Sequence, residues 1–176
     1  MSTISSSSSS IFDHLDQVAV IAGGFFAGTA LYMTIGEVPA MRAFGLDEHW
    51  RFFPYMYQRA AVSQIIFTSV AGVASIVHGI RIIRAPFHRN LWIAAGTIFL
   101  GMLPYTFIFM LPTNLSIIED NKRVQDGNES QINLGTRKEL LDKWAMLHCV
   151  RTLGSIISFG AMVFGLSHHK SLHLGW

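Results

Sequence analysis

The residues best suited to chemistry form a stripe in the last apolar stretch of the chain. Its members lie four, three and four positions apart, which places them on one face of an α-helix: Trp144, His148, Arg151 and Ser155. An imidazole is a base that titrates near neutral pH, and a guanidinium is a cation that stabilises an oxyanion. The spacing therefore predicts a base and a cation in register on one helical wall.

Other polar and aromatic residues are expected at the same end of the molecule. If four apolar stretches cross a membrane alternately up and down, the segments after the first and third stretches meet the start of the fourth at one membrane face. Asn114 follows the third stretch, and the segment between the first and second contains Glu37, Trp50 and Arg59. Ionisable residues beside a membrane span are functional candidates, because burying them is costly unless they have a partner or reach water.

Each of these residues also has a purely structural interpretation. Arg151 could pair with Glu37 or extend to the membrane surface, and Trp144 and His148 could anchor the helix at the interface. Arg59 is more easily explained as an interfacial cation, and Asn114 could cap a helix. Periodicity alone leaves these alternatives open.

Four apolar stretches must position this site, and each is near the length of about 20 residues that a helix needs to cross a bilayer. They run roughly over 18–35, 60–77, 91–111 and 146–166. In lipid every backbone amide must be bonded within its own segment, so the stretches must be helices. We therefore expect an all-α, integral membrane four-helix bundle with up-down-up-down topology over residues 15–167, between a disordered serine-rich tail at 1–14 and a C-terminal tail at 168–176.

Composition agrees with a membrane protein and excludes several other classes. Hydrophobic residues make up 51% of the chain, charged residues 14%, and the mean hydropathy is +0.39, a balance suited to lipid. A net charge of +2, with no basic run alternating with aromatic residues, indicates no nucleic-acid partner. The single cysteine, Cys149, allows neither an intramolecular disulfide nor a cysteine-based zinc site.

Three local patterns predict details of the bundle. Pro104 lies inside the third helix, where it removes a backbone hydrogen bond and should kink the helix, which could shape a pocket. Gly24 and Gly28 have the GxxxG spacing that lets a second helix approach closely. Residues 136–139 form a capping box, so the fourth helix should begin near Arg137. The preceding segment, 114–135, is expected to be a polar loop that could hold a short helix.

Motifs for metals and cofactors are missing from the sequence. It has no HExxH, none of the repeated histidine boxes of membrane di-iron enzymes, and no GxGxxG, Walker or GxSxG motif. We therefore predict no metal ligands and no nucleotide cofactor. A haem held between helices two and four by His78 and His168 is an alternative, although the histidine-rich end of the chain is more simply explained as a solvated tail.

The third and fourth stretches allow a more specific interpretation, because their motifs resemble those of the anthrone oxygenase family. The resemblance rests on PYTFIFMLPTN at 104–114 and LDKWAMLHCVR at 141–151, with GEVPAM at 36–41 and YQRA at 57–60 upstream. It covers nearly the whole chain apart from the serine-rich tail and the last few residues.

Membership of that family implies a reaction and a set of site residues. The reaction is oxidation of a polyketide anthrone, such as emodin anthrone, to an anthraquinone by O2 in fungal secondary metabolism, without flavin, haem or metal. We expect His148 to take a proton from the substrate and Arg151, with Asn114, to stabilise the resulting oxyanion. The substrate would be bound by a further set of side chains, in which the aromatic residues stack on the tricycle and the charged ones orient the base: Trp144, Tyr105, Trp50, Arg59 and Glu37.

The expected partners follow from this reaction. They are a hydrophobic polycyclic small molecule, O2 and the lipid bilayer, and a homo-oligomer is left open. In a fungal cell the protein would be a multi-pass protein of an endomembrane, either the endoplasmic reticulum or a vesicle. Two rival interpretations remain, a haem- or metal-binding membrane redox protein and a non-catalytic membrane scaffold subunit.

Overall fold

Four long helical rods form the molecule, and the fold class predicted from the sequence is confirmed. The computed structural model describes residues 11–174, with side chains from 13 to 168, and contains no strand in that part of the chain. Four rods are long and apolar enough to cross a membrane: Leu15–Phe44, Leu46–Arg81, Pro86–Gln125 and Leu134–His168. Residues 1–10, the larger part of the predicted serine-rich tail, lie outside the described chain.

Six α-helices and two π-helical segments make up these rods. The first rod consists of α1 (Leu15–Tyr32), a first π segment (Met33–Glu37) and α2 (Val38–Phe44), and a short 3-10 helix, Ile11–His14, precedes it. The second rod is α3 (Leu46–Arg81). The third consists of α4 (Pro86–Tyr105), a second π segment (Thr106–Met110) and α5 (Leu111–Gln125), and the fourth is α6 (Leu134–Leu174).

The helices extend well beyond the apolar stretches at one end of the bundle. The segment between the first and second stretches is helical on both sides of a single break at Gly45, whose φ of 143° is readily adopted only by glycine. The segment after Asn114, expected to be a polar loop that could hold a short helix, contains α5 up to Gln125 and is irregular only beyond it. Polar side chains do not exclude a helix here: some are exposed, and others, such as His49, Asp120 and Asn121, are buried between helices.

The fourth rod begins earlier than predicted because a different residue caps it. Asn133 Oδ1 accepts a hydrogen bond from the amide of Thr136 at 2.9 Å, and the helix starts at Leu134. Asparagine at this position satisfies one of the free amides of the first helical turn. The capping box predicted at Thr136 is therefore inside the helix, and the start at Arg137 is wrong by three residues.

α3 and α4 are joined almost backbone to backbone. A Cβ atom built on Gly96 would lie 2.7 Å from the carbonyl oxygen of Gly72. On either side of this contact, Thr68 donates a hydrogen bond to the Phe99 carbonyl and Ser75 donates to the Trp92 carbonyl, at 2.8 and 2.7 Å. Two polar side chains within a span thus bond to a neighbouring helix and hold α3 and α4 together.

The predicted close approach at Gly24 and Gly28 is not made within the described chain. Gly24 faces the ring of Phe159, whereas a Cβ on Gly28 would meet nothing within 4 Å. The GxxxG spacing indicates a surface that permits close contact, but it does not specify which helix lies opposite. Glycines that do meet a facing backbone include Gly72, Gly79 and Gly96.

Replacement of Gly96 by alanine should therefore destabilise the bundle. Because the added methyl group would overlap the Gly72 carbonyl, we expect Gly96→Ala to lose about 1–3 kcal/mol in the free energy of unfolding, measured in detergent-lipid micelles. Gly101→Ala is the matched control, since it lies on the same helix and its Cβ would meet nothing within 4 Å. Equal stability of the two variants would contradict the close contact.

Candidate active site

An apolar cleft lies between α3, α6 and the third rod, at the end of the bundle predicted from the sequence. Its cavity volume is about 70 Å³, below the roughly 300–1,000 Å³ of typical small-molecule sites, and the cleft is open on one side. Four of the predicted site residues line it: Asn114, Trp144, His148 and Arg151. The up-down topology therefore brings the start of α5 and the stripe on α6 to one place.

The second π segment forms one wall of this cleft. Thr106, Phe107 and Met110 line the space, and the segment begins two residues after Pro104. A proline inside a helix removes a backbone hydrogen bond, and π turns widen the helix locally and occur often at functional sites. The irregular backbone that we expected to shape a pocket is thus this π segment.

His148 is held on two sides inside the bundle. Only 1% of its surface is exposed, and its ring stacks on Trp144 with 5.1 Å between ring centres and 11° between planes. Its Nε2 lies 3.3 Å from the carbonyl oxygen of Ala30 on α1, while Nδ1 is buried with no hydrogen-bond partner. The imidazole is therefore fixed in orientation with one nitrogen unoccupied.

Arg151 carries its charge without a carboxylate partner among residues 13–168. One terminal nitrogen donates a hydrogen bond to Gln64 Oε1 at 2.5 Å, and the guanidinium carbon lies 5.3 Å from the centre of the Phe26 ring. Its Nε is buried with no acceptor. Arg151 does not pair with Glu37, the acid that the sequence suggested, because a neutral amide from α3 occupies that role.

Asn114 presents a second polar group that lacks a partner. It is 1% exposed in the first turn of α5, and its Oδ1 is buried with no hydrogen bond. Buried polar atoms are nearly always bonded in folded proteins, so an unpaired one needs an explanation. Asn114, His148 and Arg151 thus line one apolar cleft, and each has one buried polar atom without a hydrogen-bond partner.

The remaining predicted substrate-binding residues do not line the cleft. Tyr105 donates from its hydroxyl to the Leu147 carbonyl at 3.2 Å, and Arg59 is exposed on the outer face of α3. Glu37 is half-buried at the end of the first π segment. Trp50 is buried beneath the guanidinium of Arg137, which lies 5.3 Å from its ring centre and pairs with Asp47 at 2.9 Å.

Sequence reasoning did not assign a role to Gln64, which the structure places directly against Arg151. Gln64 accepts from Arg151 with its amide oxygen, and its amide nitrogen donates to the sulfur of Met33, in the first π segment, at 3.3 Å. The available signal was an uncharged polar residue inside an apolar span. That signal indicates contact with another helix, but the partner depends on the register of α3 against α6.

Two histidines at the other end are packed against aromatic rings. The His78 ring centre lies 4.7 Å from that of Trp92, and the His168 ring centre lies 4.0 Å from that of Phe164. Within the described part of the chain, no group of three or more His, Cys, Asp or Glu residues has the geometry to hold a metal ion.

The fold and the site together define a class, a multi-pass membrane protein whose four helices surround an apolar cleft with a histidine, an arginine and an asparagine in its wall. The chain belongs to the anthrone oxygenase family, since the family model described as anthrone oxygenase matches residues 52–161. The predicted membership is confirmed.

Curated relatives agree with this assignment at modest identity. An anthrone oxygenase of Paecilomyces divaricatus is 25% identical over 77% of this chain and 84% of its own length. One from Aspergillus fumigatus is 28% identical over 77% and 82%, and a noranthrone monooxygenase of Aspergillus flavus is 25% identical over 78% and 66%. No solved structure matches this chain.

The contact between Gln64 and Arg151 predicts a non-additive effect on stability. Gln64→Leu removes a hydrogen bond to a charged group and should cost about 2 kcal/mol in the free energy of unfolding. The double variant Gln64→Leu, Arg151→Met should recover much of that loss, because it also removes the buried charge. Additive losses in a double-mutant cycle would show that the two side chains do not interact.

Proposed function

We propose that this protein is a membrane oxygenase that converts a polyketide anthrone, similar to emodin anthrone, to the anthraquinone with O2 and without a redox cofactor. The observation that carries the proposal is the meeting of His148, Arg151 and Asn114, each with an unpaired polar atom, in one apolar cleft of a chain in the anthrone oxygenase family. The named substrates of the relatives are of the same chemical class.

The chemistry begins with a proton transfer. Anthrone has a methylene group between two aryl rings and conjugated to a ketone, so loss of one proton gives a delocalised anion with most of its charge on oxygen. His148 takes the proton as a general base. Arg151 stabilises the anionic oxygen, and its cationic charge is available because a neutral amide is its partner.

The remaining steps balance without another reductant. The anion transfers one electron to O2, and the substrate radical and superoxide combine to form a carbon–oxygen bond. The proton held on His148 converts the peroxide anion to a hydroperoxide. Loss of the second methylene proton and cleavage of the oxygen–oxygen bond then release water and leave the new ketone. Asn114 can donate to the peroxide oxygens from its amide nitrogen.

The position of the cleft also suits the substrate. A flat tricycle dissolves in the hydrocarbon layer, and the cleft is lined by exposed apolar residues of two rods, Ile65 on α3 and Phe107 in the second π segment. The substrate would pass between these rods from the bilayer without crossing water. In a fungal cell this reaction places the protein in an endomembrane.

Replacement of the base gives the most direct test of function. His148→Ala should lower the rate of O2 consumption with emodin anthrone about 100-fold or more, because a positioned general base contributes on the order of 10²–10⁴. The matched control is His168→Ala, an exposed histidine at the other end of α6. Each rate is corrected for oxidation in air without enzyme. Full activity of folded His148→Ala protein would refute the assignment of the base.

Cofactor independence predicts that metal and flavin removal has no effect. Protein purified with a chelator and showing no visible absorption band should oxidise emodin anthrone at the rate of untreated protein. Loss of activity with the chelator, followed by recovery with one metal ion, would instead favour a metal oxygenase. A haem spectrum in the purified protein would favour the redox-protein alternative.

A further inference from the structure

A small network of hydroxyl groups surrounds the carbonyl that contacts His148. Thr34, in the first π segment, lies 3.0 Å from the Ala30 carbonyl oxygen, and Thr152 on α6 lies 3.2 Å from it. The two hydroxyl oxygens are themselves 2.7 Å apart. The Ala30 carbonyl is therefore the meeting point of α1 and α6, and it has both hydroxyls and the imidazole around it.

The Ala30 carbonyl oxygen can only accept hydrogen bonds, so the protons available around it determine which neighbours can bond to it. The two hydroxyls supply two protons, and one of these lies between the two oxygens whichever threonine donates it. The other is directed at the Ala30 carbonyl or, from Thr152, at the His148 carbonyl at 3.1 Å. The Ala30 oxygen can only accept, so its contact with the imidazole requires a proton on Nε2.

The other imidazole nitrogen has the opposite requirement. With the proton on Nε2, a neutral ring carries a lone pair on Nδ1, which is buried and unpaired. The stack against Trp144, with 11° between the ring planes, resists rotation of the imidazole. A neutral ring in the alternative tautomer would place a lone pair against the carbonyl lone pairs, which is repulsive.

We infer that the Ala30 carbonyl fixes His148 as the Nε2-protonated tautomer, that Thr152 and Thr34 are positioning residues for this carbonyl, and that Nδ1 is the atom that accepts the substrate proton. This inference rests on the proposed oxidation of an anthrone, and it names the reacting atom and two residues outside the predicted site. In the proton transfer, the methylene C–H bond breaks, its electron pair stays on the substrate, and a new N–H bond forms at Nδ1. The Nε2–H bond to Ala30 persists and stabilises the imidazolium.

Nitrogen-15 NMR of the full-length protein in lipid nanodiscs tests the tautomer without any substrate. The chain has eight histidines, so the His148 signals are assigned by their loss in His148→Gln. The inference predicts that Nε2 carries a proton and Nδ1 does not. A proton on Nδ1 of the neutral ring would overturn it.

Kinetics of threonine variants test the positioning role. Thr152→Val keeps the shape and removes the hydroxyl, and it should lower kcat about tenfold, leave KM within about twofold and produce a mixture of tautomers in the NMR spectrum. Thr152→Ser should restore both the rate and the single tautomer. Thr29→Val is the matched control, because Thr29 is next to Ala30 on α1 but is exposed, and its hydroxyl donates to the Phe25 carbonyl four residues earlier.

The outcomes separate this inference from the proposed function. Unchanged kcat and an unchanged tautomer in Thr152→Val would overturn the positioning role while leaving anthrone oxidation intact. If Thr152→Val does not fold, Thr34→Val provides the same test from the opposite helix. Native protein that shows the Nε2-protonated ring but no O2 consumption above the air baseline would contradict the proposed function and the role of Nδ1 in it, and would leave the tautomer assignment standing.

Discussion

A guanidinium inside an apolar bundle, with no acidic partner among residues 13–168, is the constraint on which the rest of the site depends. Charged groups at membrane depth are costly and usually pair with an opposite charge. Arg151 is hydrogen-bonded to the neutral amide of Gln64 and lies near the Phe26 ring. Both contacts stabilise the guanidinium, and neither neutralises its positive charge. Three helices, α1, α3 and α6, must hold these side chains in register. The retained charge is available to a ligand that becomes anionic during a reaction.

The two ends of the bundle meet different requirements. Away from the cleft, α3 and α4 are joined through Gly72 and Gly96, and the Ser75 hydroxyl bonds directly to the facing backbone. At the other end, two π segments widen the helices, and the cleft opens between them and α3. Outside the cleft, Arg137 joins the starts of α3 and α6 through Asp47 and also lies 3.7 Å from Asp120 on α5. Contacts on both sides of the π segments, the α3–α4 junction and the Arg137 ion pairs, therefore stabilise the widened region.

Much of this arrangement could be predicted from the sequence because lipid restricts the possible structures so strongly. Apolar length requires helices, and the number of spans determines which ends meet, so Asn114 and the stripe on α6 could be placed together before any coordinates. Periodicity also placed Trp144, His148 and Arg151 on one wall. These predictions depend on local pattern and topology, which a single sequence contains.

Other features depend on pairwise contacts that no local pattern contains. Whether Gly24 or Gly72 meets a backbone is decided by the rotation of each helix, and Gln64 reaches Arg151 only in one register of α3 against α6. Nearness to one membrane face does not determine whether a side chain points into the cleft. For that reason the sequence could not show that four of the expected site residues lie outside it: Glu37, Trp50, Arg59 and Tyr105.

Ionisation of the substrate before oxygen reacts is the central claim, and it can be measured directly. Emodin anthrone is mixed with the protein under strictly anaerobic conditions, and the absorption spectrum of the bound substrate is recorded. The account predicts a band of the anthrone anion that saturates with protein concentration, weakens in Arg151→Met and disappears in His148→Ala. A bound substrate that stays neutral in the native protein, yet is oxidised when O2 is admitted, would contradict the account.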